Sequence, residues 1–322
     1  MLSDYFSRKK RWLEDLPART TLKLFNQRHV RTRLGRRYDA ALDRHRPTLP
    51  RLDGLDAQIL AGLDSKGVFV TSLESLALPG GEAITASAAM LADRYAGEAR
   101  TRAAAGEPFM IVPPAWIARE DPAIYLWGLQ DRLLDIAHAY IGLPPAYDGV
   151  AINYTVADGR EVSTRMWHRD WEDRRMLKVA VYLHEVDAQG GPFQIIARHD
   201  SGQVDAAGFR YDLAGDADLA ERLGPSFTDD IVTCTGSRGT VIFNDTARFF
   251  HRGKPAVTRD RAALFYSYFA RRPRHPFLCE RTGMTREDIA RLARPLPERQ
   301  RRTALWREHL PLPLKLIPPA RL

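Results

Sequence analysis

The residues best placed to do chemistry lie in the second half of the chain. In Trp167-His168-Arg169-Asp170, positions two apart on a strand face the same side. His168 and Asp170 can therefore present an imidazole and a carboxylate to one point. Alone, such a triplet reads first as an exposed turn pair. The next β-rich block supplies a second imidazole: Gly239-Thr-Val-Ile-Phe-Asn-Asp245 leads into Phe249-Phe250-His251. Ten residues later, Arg261 opens the run Arg261-Ala-Ala-Leu-Phe-Tyr-Ser-Tyr-Phe269. Two neutral imidazoles and one carboxylate occupy one face of an octahedral ion and leave three positions open, a set that suits non-haem Fe(II). Those positions can take a bidentate 2-oxo acid and then dioxygen. The far carboxylate of the acid needs a planar two-pronged cation, which Arg261 can supply.

The elements that must position these groups read as short strands. β-rich runs fall at 149–156, 163–168, 176–186, 192–197, 239–244 and 261–270. Turn-forming segments such as Ala188-Gln-Gly-Gly-Pro192 and Gly236-Ser-Arg-Gly239 separate them. Many short strands without long helices between them predict an antiparallel sandwich or barrel. The stretch 200–231 is a long acidic connection, a length often tied to function. Upstream, the pattern predicts helices within 1–50 and over 54–64, 84–104 and 122–141, with a strand at 67–71. Downstream, Thr285 with Asp288 forms a capping box ahead of Ile289–Leu292, and another helix is expected over 298–309. The expected organisation is a basic helical extension (1–50), a helical support region (51–148), a catalytic β core (149–270) and a basic helical tail (271–322), together one compact domain.

Composition bounds the function classes. The chain has 322 residues, 44% hydrophobic and 27% charged, which excludes wholesale disorder. No run approaches the roughly 20 apolar residues that span a bilayer. The basic N-terminus has no apolar segment behind it to make a signal peptide, and two cysteines, Cys234 and Cys279, cannot form a disulfide scaffold or a thiolate zinc cage. The expected location is cytoplasmic. The net charge of +8 is unevenly spread: residues 1–50 carry 13 Lys+Arg against 5 Asp+Glu, 51–250 carry 18 against 29, and 251–322 carry 17 against 6. The favoured reading is a solvated arginine-rich surface on both flanks. Recruitment of an anionic or carrier-linked small molecule comes second. Nucleic acid or anionic membrane comes last, because the sequence shows neither an aromatic-interleaved RNA motif nor a clean apolar helix face.

Residues 149–270 resemble the phytanoyl-CoA dioxygenase-like family of Fe(II)/2-oxoglutarate-dependent oxygenases. The likeness is carried by His168-x-Asp170 followed by Leu177-Lys-Val-Ala-Val-Tyr-Leu183, and by Asp187-x-x-Gly190-Gly-Pro-Phe193. It continues in Gly239–Asp245 running into His251, and in Arg261-x-Ala-Leu264. Leu60–Ser72 resembles the family's opening helix-to-strand unit. The resemblance implies a double-stranded β-helix (jelly-roll, cupin-like) core with helical extensions. It also implies His168, Asp170 and His251 as the metal triad and Arg261 as the 2-oxoglutarate clamp. Fe(II), 2-oxoglutarate and O2 would then be the cofactors, and a small molecule would be hydroxylated, or oxidised at C–H in a related way, with release of succinate and CO2. The chain departs from the family at Ala197-Arg-His-Asp200, where relatives often read Pro-Gly-Ser-His, and at Arg169, where Gln is frequent. Substrate identity is therefore not transferred. Because Asp170 is present, the halide-binding arrangement of related halogenases is not expected.

Weaker candidates surround this set. Tyr154, Asn153 and Lys178 could hydrogen-bond 2-oxoglutarate, although each also reads as a sheet-face residue. Trp167, Trp171 and Arg169 flank the triad and could line a substrate pocket, while ordinary packing accounts for the tryptophans equally well. His184 and His199 read as surface and loop residues, and Cys234 as a small buried one. Two other functions stay open: a protein hydroxylase or demethylase of related fold, its basic ends docking an acidic partner, and a non-enzymatic jelly-roll module with a structural metal.

Overall fold

Runs of β-branched and aromatic residues between turn signals become strands. In the computed structural model, which describes residue 9 and residues 12–198 and 211–320, they form two antiparallel sheets. The larger has the order β1 (Val68–Ser72), β7 (Thr240–Asn244), β4 (Leu177–Tyr182), β9 (Arg261–Ala270), β3 (Pro145–Thr155) and β2 (Met110–Ile111). The smaller has the order β6 (Ile231–Cys234), β5 (Phe193–Ile196) and β8 (His251–Gly253). From β4 onward the chain passes to the small sheet for β5 and β6, back for β7, over for β8 and back for β9. This alternation winds the two sheets into a jelly roll.

Side chains from both sheets meet between them: Val68, Ala180, Tyr182, Phe193, Ile195, Ile242 and Phe249 form one buried cluster. The outer face of the large sheet is covered by helices, so its strands are apolar on both faces. Helix Asp131–Ile141 buries Leu133, Leu134, Ile136, Ala137 and Tyr140 against it and stops at Gly142, whose φ of 77° suits a helix end. The helix expected over 122–141 is two pieces, Pro122–Trp127 and Asp131–Ile141. The break at Gly128 lies where a Cβ would come 2.5 Å from Tyr147 Oη and 2.6 Å from Tyr266. Only a bare backbone can approach the sheet that closely.

Three local expectations are corrected. The 163–168 run is not a strand: Ser163–Arg165 is a 3-10 turn entered through Ser163 at φ 53°, and only Trp167 and His168 form isolated bridges. Strands β6 and β8 were not expected. The large sheet also takes in two strands from upstream of residue 149: β1, the strand expected at 67–71, and β2, which was not expected. The Thr285 cap is present, its hydroxyl accepting from Asp288 N at 3.0 Å ahead of helix Arg286–Ala293. Of the acidic connection, helix Asp216–Leu223 and the 3-10 turn Pro225–Asp230 are described, while His199 lies outside the described residues. Among the described residues no helix is long and apolar enough to cross a membrane.

Candidate metal centre and its cavity

His168 and His251 exchange both backbone hydrogen bonds, each at 3.0 Å, across an isolated antiparallel bridge. The bridge brings the imidazole centroids to 4.2 Å. Asp170 is anchored two residues on, its N–H donating to Thr246 O at 2.7 Å. One ligand atom from each of His168, Asp170 and His251 lies within 4.8 Å of the others. His168 Nδ1 is 2.9 Å from Met166 O, and His251 Nδ1 is 3.4 Å from Phe249 O. A carbonyl can only accept, so the network assigns the proton to Nδ1 and leaves each Nε2 lone pair for an ion.

The electrostatics fit a cation. Burial pushes both histidines below their ordinary pKa, so they stay neutral, as ligands must. Burial alone would raise the Asp170 carboxyl, but the Lys178 ammonium paired with it outweighs burial and holds the group well below the usual carboxylate range. Lys178, on β4, makes an ion pair with Asp170 Oδ2. Despite its own burial, Asp170 and Glu172 keep it protonated.

The triad opens into a cavity of about 430 Å³. At one end lies Arg261, 8% exposed. Its guanidinium donates to Gly191 O and, at 3.4 Å, to Thr155 Oγ1. Among the described residues no carboxylate pairs with it, and burial lowers its pKa. Strand β8 makes room for it: a Cβ on Gly253 would lie 2.8 Å from Arg261 Nη2. Gly253 was not anticipated. Its signal was its place two residues after His251, on the same strand face. The opposite end is walled by Trp171, Tyr211, Glu172, Arg281 and Thr246. Trp171 and Tyr211 pack with ring centroids 4.2 Å apart, and the Arg281 guanidinium sits 5.0 Å over Trp171. Sequence reasoning missed Tyr211 and Arg281, because both come from segments outside the strand pattern.

The weaker candidates divide. Trp171, Lys178 and Asn153 line the cavity. Tyr154 does not: strand alternation turns it to the helix-covered face, where its hydroxyl donates to Asp260 Oδ2 at 3.0 Å. Trp167 is fully buried in a separate cluster with Ile196, Leu219 and Phe250, its Nε1 donating to Asp216 Oδ1 at 2.6 Å. The Arg169 guanidinium lies 4.7 Å over the Phe250 ring, away from the cavity walls. His184 pairs with Asp93 at 3.5 Å on the surface.

No family model and no curated protein matches the sequence. Solved structures do match. EctD from S. alaskensis with bound Fe is 20% identical at a TM-score of 0.47, over 74% of this chain and 88% of that one. EctD with 2-oxoglutarate and 5-hydroxyectoine is 25% identical at 0.44, over 69% and 82%. The epimerase SnoN in complex with Fe3+, alpha ketoglutarate and nogalamycin RO is 14% identical at 0.42, over 67% and 84%.

Proposed function

We propose that this chain is an Fe(II)- and 2-oxoglutarate-dependent oxygenase that oxidises a C–H bond of a small molecule, with hydroxylation the expected outcome and succinate and CO2 as coproducts. The donor set supports this reading. Two neutral imidazoles whose Nε2 lone pairs are left free and one ionised carboxylate suit a ferrous ion with open positions. When bound, iron with 2-oxoglutarate and dioxygen supplies oxidising power that no side chain has. The observation that carries the proposal is Arg261, a buried guanidinium in the triad's cavity that no described carboxylate neutralises. It would receive the distal carboxylate of the cosubstrate in a two-pronged hydrogen bond, with Thr155 beside it.

The chain's own residues would do the rest. Lys178 holds one oxygen of Asp170 and leaves the other for the ion. Trp171, Tyr211 and Arg281 would orient the substrate at the other end, and the buried walls would keep water from the reacting atoms. A cavity of about 430 Å³ suits a small molecule better than a protein segment.

The test is succinate release from 2-oxoglutarate by the iron-loaded protein, combined with calorimetric titration of metal and cosubstrate. His168→Ala should lose metal binding and turnover together. If that variant bound iron and turned over like the natural chain, the reading would fail.

A further inference from the structure

We propose that the two ends of the chain form a docking surface for an anionic lipid bilayer, set beside the substrate end of the cavity. Only the naming of the cavity's substrate end rests on the oxygenase reading; vesicle binding needs no iron, so the two can fail separately.

The first observation is an apolar arc facing water. Trp12, Leu13, Leu16 and Leu24 are each at least 40% exposed. Residues 12–14 are helical, Asp15 keeps right-handed helical dihedrals, and helix Leu16–Phe25 follows. At about 100° per residue these four side chains fall within an arc of about 120°. Ala18, Leu22 and Phe25 fall on another arc, roughly 60° wide, and turn inward to pack with Phe277 and Leu278. The outward arc is thus not the helix's route into the core. From the other terminus, Leu312 and Leu316 are 69% and 75% exposed, while Ile317 and Ala320 join the same inner cluster as Ala18. Two separate segments therefore meet beneath, and both leave large apolar side chains in solvent.

The second observation is charge. Lys23 lies within the apolar arc, placed to extend its ammonium past the apolar layer. Helix Arg28–His45 buries no residue and exposes Arg28, Arg33, Arg36 and Arg37. No described carboxylate pairs with these arginines or with Lys23. Leucine and tryptophan beside a dense field of cations form the pattern of an interfacial helix on acidic headgroups. Nucleic acid would use the arginines but leave Trp12 and the leucines in water. A second copy would cover the leucines but bring like charges together.

The third observation is position. Trp171 and Tyr211, which wall the substrate end of the cavity, belong to the same packed cluster as Ala18, Leu22, Phe25 and Ile317. Docking here would hold that end of the cavity near the bilayer surface, where an amphipathic substrate concentrates.

The experiment is cosedimentation of the full chain with vesicles of phosphatidylcholine alone and of an equal mixture with phosphatidylglycerol. The mixed vesicles should bind at least about tenfold more tightly, and high salt should weaken the binding. Trp12→Ser with Leu13→Ser, and separately Arg33→Gln with Arg36→Gln and Arg37→Gln, should each weaken it about tenfold or more at unchanged Tm. Should the first pair lower Tm, Leu312→Ser with Leu316→Ser replaces it. Equal binding to both vesicle types, or variants that bind like the natural chain, would overturn the proposal. So would a dimer that the Trp12→Ser, Leu13→Ser pair splits, or an oligonucleotide bound as tightly as the mixed vesicles.

Discussion

Arg252 and Arg261 are both 8% exposed, yet their surroundings differ. Arg252, on β8, donates to Gln194 Oε1 at 2.9 Å, Glu161 Oε1 at 2.9 Å and Asp216 Oδ1 at 3.1 Å. Its guanidinium lies 4.3 Å over the Trp167 ring. Among the described residues, the guanidinium of Arg261, opening β9, donates only to a carbonyl and a hydroxyl. Burial of a guanidinium is therefore uninformative by itself; what its donors face separates a strut from a binding group. Arg252 ties the small sheet to helix Asp216–Leu223. Arg261, on the proposed reading, keeps its charge for the cosubstrate that would enter the cavity.

Exchanging each arginine in turn puts the largest expected effect on this contrast. Arg261→Gln should weaken 2-oxoglutarate binding by on the order of 100-fold, since a buried charge-assisted pair is lost, with Tm unchanged or higher. Arg252→Gln should do the reverse: a loss of about 1–3 kcal/mol of stability in thermal or urea unfolding, with cosubstrate affinity within about twofold. Matching profiles for the two variants would erase the distinction. Gly253→Ala tests the same guanidinium from the side, because its methyl would sit 2.8 Å from Nη2. Calorimetry should show cosubstrate affinity falling by roughly tenfold while metal affinity holds.

A third, half-buried cation falls between the two. Lys178 has a carboxylate, but that carboxylate is a ligand of the proposed ion. Lys178→Met should lower metal affinity by about tenfold and leave the cosubstrate affinity of the loaded protein less affected. The opposite ranking would place Lys178 on the 2-oxoglutarate itself, as the sequence allowed.

The smallest effect concerns a buried group that, unlike a guanidinium, can shed its charge. His275 is wholly buried with Nδ1 at 2.5 Å from Trp171 O. Burial, helped by Arg274, pushes its pKa down to about 3. Between that value and the unfolded value of about 6.5 the unfolded chain binds the extra proton. Stability from this group is therefore intact above about pH 6.5 and falls on acidification, by up to about 1.4 kcal/mol per pH unit. The Asp148 carboxyl, raised to about 7 by burial, acts in the opposite sense over the same range. His275→Gln should thus remove one proton's worth of acid sensitivity from a Tm series without removing all pH dependence.

The antiparallel β architecture and the triad were legible because strand period and residue type carried them, whereas the jelly-roll winding was implied only by the family resemblance. His168, Asp170, His251 and Arg261 have chemistries few positions need, in an order that strands can assemble. What the pattern could not give is which face of a strand looks inward when both are apolar. Strand β3 is buried on both sides, so nothing local told Asn153 and Thr155, which face the cavity, from Tyr154, which faces the helices. Trp167 and Arg169 depended on where the acidic connection folds, since Ala214, Leu219 and Phe227 surround that tryptophan. Strands β6 and β8 are too short, at four and three residues, to show a period. The apolar arc at Trp12–Leu24 was hidden because its helix carries two apolar faces, and only packing shows which one is spent on the core.

The mutual backbone bonds of His168 and His251 have a further consequence. The main chain brings the two imidazoles side by side, so on the proposed reading their backbone frame is built during folding and does not wait for an ion. Loading and stripping iron should then proceed as reversible exchange in a rigid socket, with amide protection along β5 and β8 unchanged. On the proposed reading, a cell short of iron would hold this protein as an intact, idle reserve that regains activity on contact with metal, without resynthesis or refolding.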